Sequence, residues 1–292
     1  MRTCGGNRRL PSFSFLTFSK KYDIIYIEKR KGEKTMKYFI VTDIHGFYNE
    51  MIDSLKECGF DSKNPNHTFV SLGDLLDRGD QPLECLNFVN SLERKILIRG
   101  NHEDLMEEAL ARGEFLMHDI HNGTFATAVL LSNSTQLFDI IDKMEHNKPY
   151  NDYIASTVDY AEVGRVVFVH GWIPANQKFS GGYTYLPNWR DASHTAWKAA
   201  RWYNGMDLWS QGVYDPDRTI LCGHWHCSYG HAKFEKDRVE FAHNDNEIED
   251  FSPFCGTGII ALDTCTAYTH DVNCVVYDTD DNSVIVPTMT WR

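Results

Sequence analysis

Lys37-Tyr38-Phe39-Ile40-Val41-Thr42-Asp43-Ile44-His45-Gly46 decides how this chain is read: a β-branched and aromatic run stops at an acid, a histidine and a glycine. The same arrangement returns four times. Residues 68–72 stop at Gly73-Asp74, and 95–98 stop at Arg99-Gly100-Asn101-His102-Glu103. Residues 165–169 stop at His170-Gly171, and 219–222 stop at Gly223-His224-Trp225-His226. Short, nearly continuous apolar runs bounded by glycine predict buried central strands. Helical spacing over 47–58 and 81–92 places helices between the first three, a βαβαβ start. Polar groups just past the carboxyl ends of such strands gather along one sheet edge, where sites form.

Asp43 and His45, two apart in a segment read as extended, are expected to face one side, and His224 and His226 to repeat that arrangement. With Asp74, Asn101 and His170 they make seven nitrogen and oxygen donors and no thiolate. Seven exceeds what one tetrahedral ion uses, and such donors suit Mn, Fe or Zn. Two ions sharing one carboxylate would use all seven, lower the pKa of bound water toward ~7 and clamp an in-line displacement at phosphorus. A lone histidine at a strand end is more often structural. Five strand ends carrying ligand types shift the reading to a two-metal phosphoester hydrolase. The other histidines, 67, 118, 121, 146, 194, 231, 243 and 270, are read as surface or packing residues.

Composition narrows the alternatives. The chain has 292 residues, 42% hydrophobic and 24% charged, which excludes disordered and fibrous classes. No apolar run approaches the ~20 residues of a membrane helix. A net charge of −12 argues against a large nucleic-acid footprint. Eight cysteines without a C-x-x-C pair are read as reduced thiols of a cytoplasmic protein.

Asp43-x-His45-Gly46, Gly73-Asp74-x-x-Asp77-Arg78-Gly79, Gly100-Asn101-His102-Glu103, His170 and Gly223-His224-x-His226 together resemble the calcineurin-like metallophosphoesterases. The long second and third motifs are most similar to the phosphoprotein phosphatase branch, which includes bacterial and phage Ser/Thr protein phosphatases and related diadenosine tetraphosphate hydrolases. The resemblance implies a four-layer α/β/β/α sandwich of two mixed sheets with outer helices. It implies that Asp43, His45, Asp74 and His226 hold one divalent ion, and that Asp74, Asn101, His170 and His224 hold a second. Manganese is the expected ion, with Fe or Zn as alternatives. His102, paired with Asp77, would protonate the leaving oxygen, and Arg78 would grip the phosphate. The family commonly adds a second phosphate-binding arginine, expected here at Arg201, with Arg190 as the other candidate. Thr42 stands where the family often has glycine, a change expected to be tolerated.

The implied function is hydrolysis of phosphate monoesters by metal-bound hydroxide, foremost as a Ser/Thr protein phosphatase acting on phosphorylated protein or small phosphate esters. A dinucleoside polyphosphate hydrolase is the alternative. A phosphodiesterase or nuclease and a non-catalytic scaffold rank behind it. Residues 36–292 are read as the phosphoesterase domain, with a helical insertion at about 104–157 and an aromatic-rich cap at about 171–218. That cap could stack a nucleobase or simply pack its own small core. After the last motif, residues 258–263, 266–270 and 273–278 read as strands. Residues 1–35 carry nine Lys/Arg against three Asp/Glu and leave 20 against 38 beyond them. Lys31-Gly32-Glu33-Lys34 back-translates to a purine-rich stretch like a bacterial ribosome-binding site, so synthesis is expected to begin at Met36 and the leader to stand outside the fold.

Overall fold

Period-two alternation in the first decisive strand sorts the core into layers. In β2 (Lys37–Val41), Phe39 and Val41 join one apolar cluster while Tyr38 and Ile40 join another. The computed structural model describes residues 24–27 and 35–286 and places β2 at the centre of a six-stranded sheet. β3 (His67–Ser71), β4 (Lys95–Ile98) and β5 (Thr157–Val158) extend it in parallel on one side. β13 (Val275–Asp278) and β14 (Ser283–Ile285) extend it antiparallel on the other.

A second six-stranded sheet runs in the order β1 (Ile24–Ile27), β6 (Tyr160–Val163), β7 (Val166–Phe168), β10 (Thr219–Cys222), β12 (Ile259–Ala261) and β11 (Phe254–Gly256). Its central strands β7, β10 and β12 are parallel. β8 (Ala175–Gln177) and β9 (Tyr183–Tyr185) form a separate hairpin. Tyr38, Ile40, Val70 and Ile98 of the first sheet pack on Phe168, Leu221 and Ile260 of the second.

The outer face of the first sheet is covered by α1 (Tyr48–Glu57), α2 (Pro82–Ser91), α3 (Asn101–Arg112), α5 (Thr124–Ser132), α6 (Leu137–Glu145) and α7 (Lys148–Ser156) through Met51, Leu86, Met106, Ala128, Ile140 and Tyr153. The short α4 (Met117–His121) joins α3 to α5. The second sheet is covered by α8 (His194–Ala200), α9 (Gly205–Ser210) and α10 (Cys227–Phe234), with Trp172, Trp189, Trp197 and Met206 buried beneath them. The result is the expected four-layer α/β/β/α sandwich. Each fully buried large side chain contributes roughly 1.5–3 kcal/mol. Most of the aromatic stretch is spent on this core: Trp172 Nε1 donates to the Val213 carbonyl at 2.7 Å and Trp189 Nε1 to Asp215 at 3.2 Å. Among the described residues no helix is long and apolar enough to cross a membrane.

One expectation is corrected. Residues 266–270, read as a strand, instead form the short helix α11 (Thr266–Thr269). Tertiary bonds override the β-branched composition there: Cys265 turns at φ 56° with its N–H on Asp263 Oδ1 at 2.7 Å, and the Thr266 hydroxyl donates to the Asp43 carbonyl at 2.8 Å. The leader falls mostly outside the described residues. Within it, Ile24–Ile27 pairs in parallel with Tyr160–Val163 and belongs to the sheet.

Candidate metal centre

Eleven described non-glycine residues have positive φ, and six of them are Asp43, His45, Asp74, Asp77, Arg78 and His224. The chain leaves β2, β3 and β10 by left-handed turns that side chains disfavour, and such strain clusters where function needs it. Backbone bonds between loops hold the turns: His45 N–H donates to the Asp74 carbonyl at 2.9 Å, Gly79 N–H to His45 at 2.7 Å, and Gly223 N–H to His170 at 2.7 Å. Asp43 and His45 therefore converge through two left-handed residues on either side of Ile44, not through the extended alternation expected of them.

Asp43 is buried, and its Oδ2 accepts from the Thr42 hydroxyl at 2.6 Å and from His224 N–H at 2.9 Å. That leaves Oδ1 facing His45 Nε2 at 3.9 Å. Asp74 Oδ1 accepts from His102 N–H at 3.0 Å, while Oδ2 lies 3.3 Å from His170 Nε2 and 3.9 Å from His45 Nε2. Asn101 Oδ1 is 2.8 Å from the same His170 nitrogen. Asp74, His170 and His224 bring their donor atoms together at one point, and His45, Asp74 and His102 at another.

The donor set fits divalent cations. His45 Nδ1 donates to the Leu76 carbonyl at 3.0 Å, His170 Nδ1 to the Leu72 carbonyl at 2.8 Å, and the His224 ring to the Trp202 carbonyl. Carbonyls only accept, so in the neutral rings the inward nitrogens carry lone pairs. With the ring neutral, a lone pair on His170 Nε2 facing the Asp74 and Asn101 oxygens fits a cation between them; a proton on Nε2 takes that place otherwise. The electrostatics agree. Burial opposes ionisation of Asp74, yet His170, His102 and His45 hold its carboxyl well below the usual range. Burial, with Asp74 adding to it and His170 opposing, pushes Asp43 up. Burial lowers His170, but Asp74 and Asp43 outweigh it and lift the ring to about 9. Burial and the neighbouring His170 push His224 down to about 3, and burial with His102 and Arg78 holds His45 well below its ordinary value.

Beside the cluster, His102 Nδ1 donates to Asp77 Oδ2 at 2.7 Å. Burial disfavours its charged form, but Asp74 and Asp77 prevail and raise its pKa. Arg78 is exposed, with Nη2 3.4 Å from His102 Nε2, so the guanidinium and the free imidazole nitrogen address the same space.

Three expected residues are placed elsewhere. His226 lies outside the cluster: Nε2 is 3.2 Å from Glu240 and Nδ1 is 2.9 Å from Ser228 Oγ, with the ring among Trp225, Phe241 and Phe251. His224 turns at φ 67° whereas His226 sits at φ −62° opening α10, so the two rings diverge. Arg201 is buried in a triad, its Nη1 on Asp104 at 2.6 Å and Nη2 on Asp159, which commits it away from a phosphate. Arg190 is bound by Glu162 and by Asp215 at 3.1 Å.

Other residues organise the site and were not singled out from sequence. Glu103 is a buried carboxylate that accepts from Asp74 N–H at 3.0 Å, Gly100 N–H at 2.7 Å, Leu75 N–H at 3.1 Å and Tyr153 Oη at 2.8 Å. It locks the second and third motifs together. Its place in Gly100-Asn101-His102-Glu103 was the available signal; Tyr153, fifty residues on, offered none. Asp263, beyond β12, is buried close to Asp43, and burial with that neighbour holds its pKa well above the ordinary value. Thr42, read as merely tolerated, orients Asp43. Gly223 fits only because it lacks a side chain: a Cβ there would lie 2.1 Å from Thr42 Oγ1 and 2.2 Å from Asp43 Oδ2. Gly223→Ala should therefore unfold about 1–3 kcal/mol more easily; a urea midpoint unchanged from wild type would contradict that packing.

The family model for calcineurin-like phosphoesterase matches residues 36–251. Serine/threonine-protein phosphatase 1 of Salmonella typhimurium is 32% identical over 98 residues, covering 34% of this chain and 44% of that protein. Bis(5'-nucleosyl)-tetraphosphatase PrpE (asymmetrical) of Bacillus velezensis is 41% identical over 76 residues, 23% of this chain and 30% of that protein. The chain thus spans less than half the length of these curated relatives. Among solved structures, the cold-active protein-tyrosine phosphatase of a psychrophile Shewanella sp. has a TM-score of 0.51 at 15% identity, over 90% of this chain and 82% of that one. That likeness shows the fold. The matched span takes in every strand end that bears a donor, from Asp43 through His224, and the chain belongs to the calcineurin-like phosphoesterase family.

Proposed function

We propose that this chain hydrolyses phosphate monoesters, with phosphoserine and phosphothreonine of proteins as its substrates. The observation that carries the reading is the His102–Asp77 pair beside an exposed Arg78, at the rim of the Asp43–His45–Asp74–Asn101–His170–His224 cluster. Phosphoesterases of this family are dinuclear metal enzymes. Asp43, His45 and Asp74 would hold one ion, and Asp74, Asn101, His170 and His224 the other. Carboxylate, amide and imidazole donors without a thiolate suit Mn, Fe or Zn, and manganese is the ion the family resemblance implies. The ions would supply Lewis-acid activation of water and neutralise charge on the phosphoryl oxygens.

The chain's own residues do the rest. Arg78 presents a planar fork to two oxygens of a terminal phosphate. Asp77 accepts the Nδ1 proton of His102, so in the imidazolium form the transferable proton would sit on Nε2, the ring nitrogen beside Arg78 and the leaving oxygen. Seven described cysteines are all free thiols, which supports a reducing compartment such as the cytoplasm.

A specific observation favours the second reading, dinucleoside polyphosphate hydrolysis. Trp202 and Trp225, 47% and 37% exposed, flank the His224 ring at 5.8 and 6.2 Å between centroids, where a base could stack. The names of the Salmonella and Bacillus relatives divide between the two readings. Purified chain with Mn, assayed on phosphopeptides, diadenosine tetraphosphate and a bis-aryl phosphodiester with a chelator control, decides among them. The phosphopeptides should be turned over fastest, and chelation should abolish the rate. Were the dinucleotide preferred, Trp202→Ala should lower its kcat/KM by about 1–3 kcal/mol and leave phosphopeptides untouched.

A further inference from the structure

Asp77 has a second partner from the helical insertion. Thr124, first residue of α5, is fully buried and places its hydroxyl 2.6 Å from Asp77 Oδ2, the oxygen that also accepts from His102 Nδ1 at 2.7 Å. A carboxylate only accepts, so the hydroxyl is the donor. The other oxygen, Asp77 Oδ1, is buried with no hydrogen-bond partner. Asp77 itself sits at φ 75°, a backbone conformation that needs outside support. The preceding residue touches the next member of the motif: Gly123, at φ 90°, lies so close to Arg78 that a Cβ would be 2.4 Å from the Arg78 nitrogen. Two consecutive residues at the start of α5 thus brace the carboxylate of Asp77 and the backbone of Arg78.

We infer that Thr124 is a positioning residue for leaving-group protonation, so that the helical insertion forms part of the catalytic machinery. The inference rests on the phosphoester-hydrolase reading with His102 as proton donor. Asp77 is held by two bonds through one oxygen. Without the hydroxyl only the bond to His102 remains, and the carboxylate gains freedom to rotate. His102 then keeps a partner but loses its fixed aim. The loss should appear only where the departing oxygen needs a proton: an alkoxide needs one, while a nitrophenolate leaves unaided.

The test uses the full chain loaded with Mn and two esters, p-nitrophenyl phosphate and a phosphoserine peptide. Thr124→Val keeps the branched shape and removes the hydroxyl; Thr124→Ser restores it. Thr124→Val is expected to lower kcat on the phosphoserine peptide by roughly 10–100-fold, the range for partners one shell outside a metal site, with KM little changed and p-nitrophenyl phosphate turnover nearly preserved. Thr124→Ser should recover most of the rate, and Thr124→Val should add no loss in a His102→Asn background. Equal losses on both esters, or an unaffected peptide rate, would overturn the inference while leaving the hydrolase reading intact. Wild-type chain that turns over neither ester would overturn both.

Discussion

Asp74→Asn yields a folded chain that no longer hydrolyses phosphate esters and no longer takes up two equivalents of Mn. Asp74 is the one carboxylate shared by both groups of converging donors. Its Oδ1 is fixed by His102 N–H at 3.0 Å, and its Oδ2 looks at His170 Nε2 at 3.3 Å and at His45 Nε2 at 3.9 Å. An amide keeps the shape but removes a negative charge that three imidazoles already stabilise, and it can turn donor hydrogens toward nitrogens that must offer lone pairs. Metal-ion charge stabilisation of several kcal/mol corresponds to a turnover loss of roughly 10³-fold or more. The fold should survive because the apolar layers around the site are untouched. Turnover, bound metal per chain and the thermal unfolding midpoint check this together. Near-wild-type turnover with Mn would refute a shared cation cage.

His102→Asn gives the second large effect, and its size depends on the ester. His102 keeps Nδ1 on Asp77 at 2.7 Å and points Nε2 toward the Arg78 guanidinium, 3.4 Å away. General acid catalysis contributes roughly 10²–10⁴-fold, so phosphoserine turnover should fall within that range. A nitrophenyl ester, whose leaving group needs no proton, should lose far less. Comparing kcat for the two esters in one preparation separates proton delivery from general damage to the site. Uniform losses would instead assign the His102 ring to shaping the site around Asp74, whose Oδ2 lies 3.9 Å from its Nε2.

Much of this was legible because buried strands leave strong traces. Continuous apolar runs ending at Asp43, Asp74, Asn101, His170 and His224 announced a sheet edge lined with donors, and all five meet there. His226 stands apart from the cluster because spacing of two implies convergence only on regular backbone. The left-handed turn at His224 and the helix beginning at Cys227 send the rings apart. The pairing of Arg201 is not legible in the sequence because its partners, Asp104 and Asp159, lie 97 and 42 residues away and no local pattern joins them. Thr124 and Tyr153 were invisible for the same reason. Their hydroxyls matter only once the insertion folds over Asp77 and Glu103.

From sequence alone came the two mixed sheets, the family resemblance and the donor types at the strand ends, since period-two burial and glycine punctuation are local consequences of side-chain size and backbone freedom. Which donors face each other, which arginine stays free and which carboxylates brace the rest were decided by the folded chain. Those outcomes depend on backbone turns stabilised by bonds between loops and on charges that find partners only after distant segments pack.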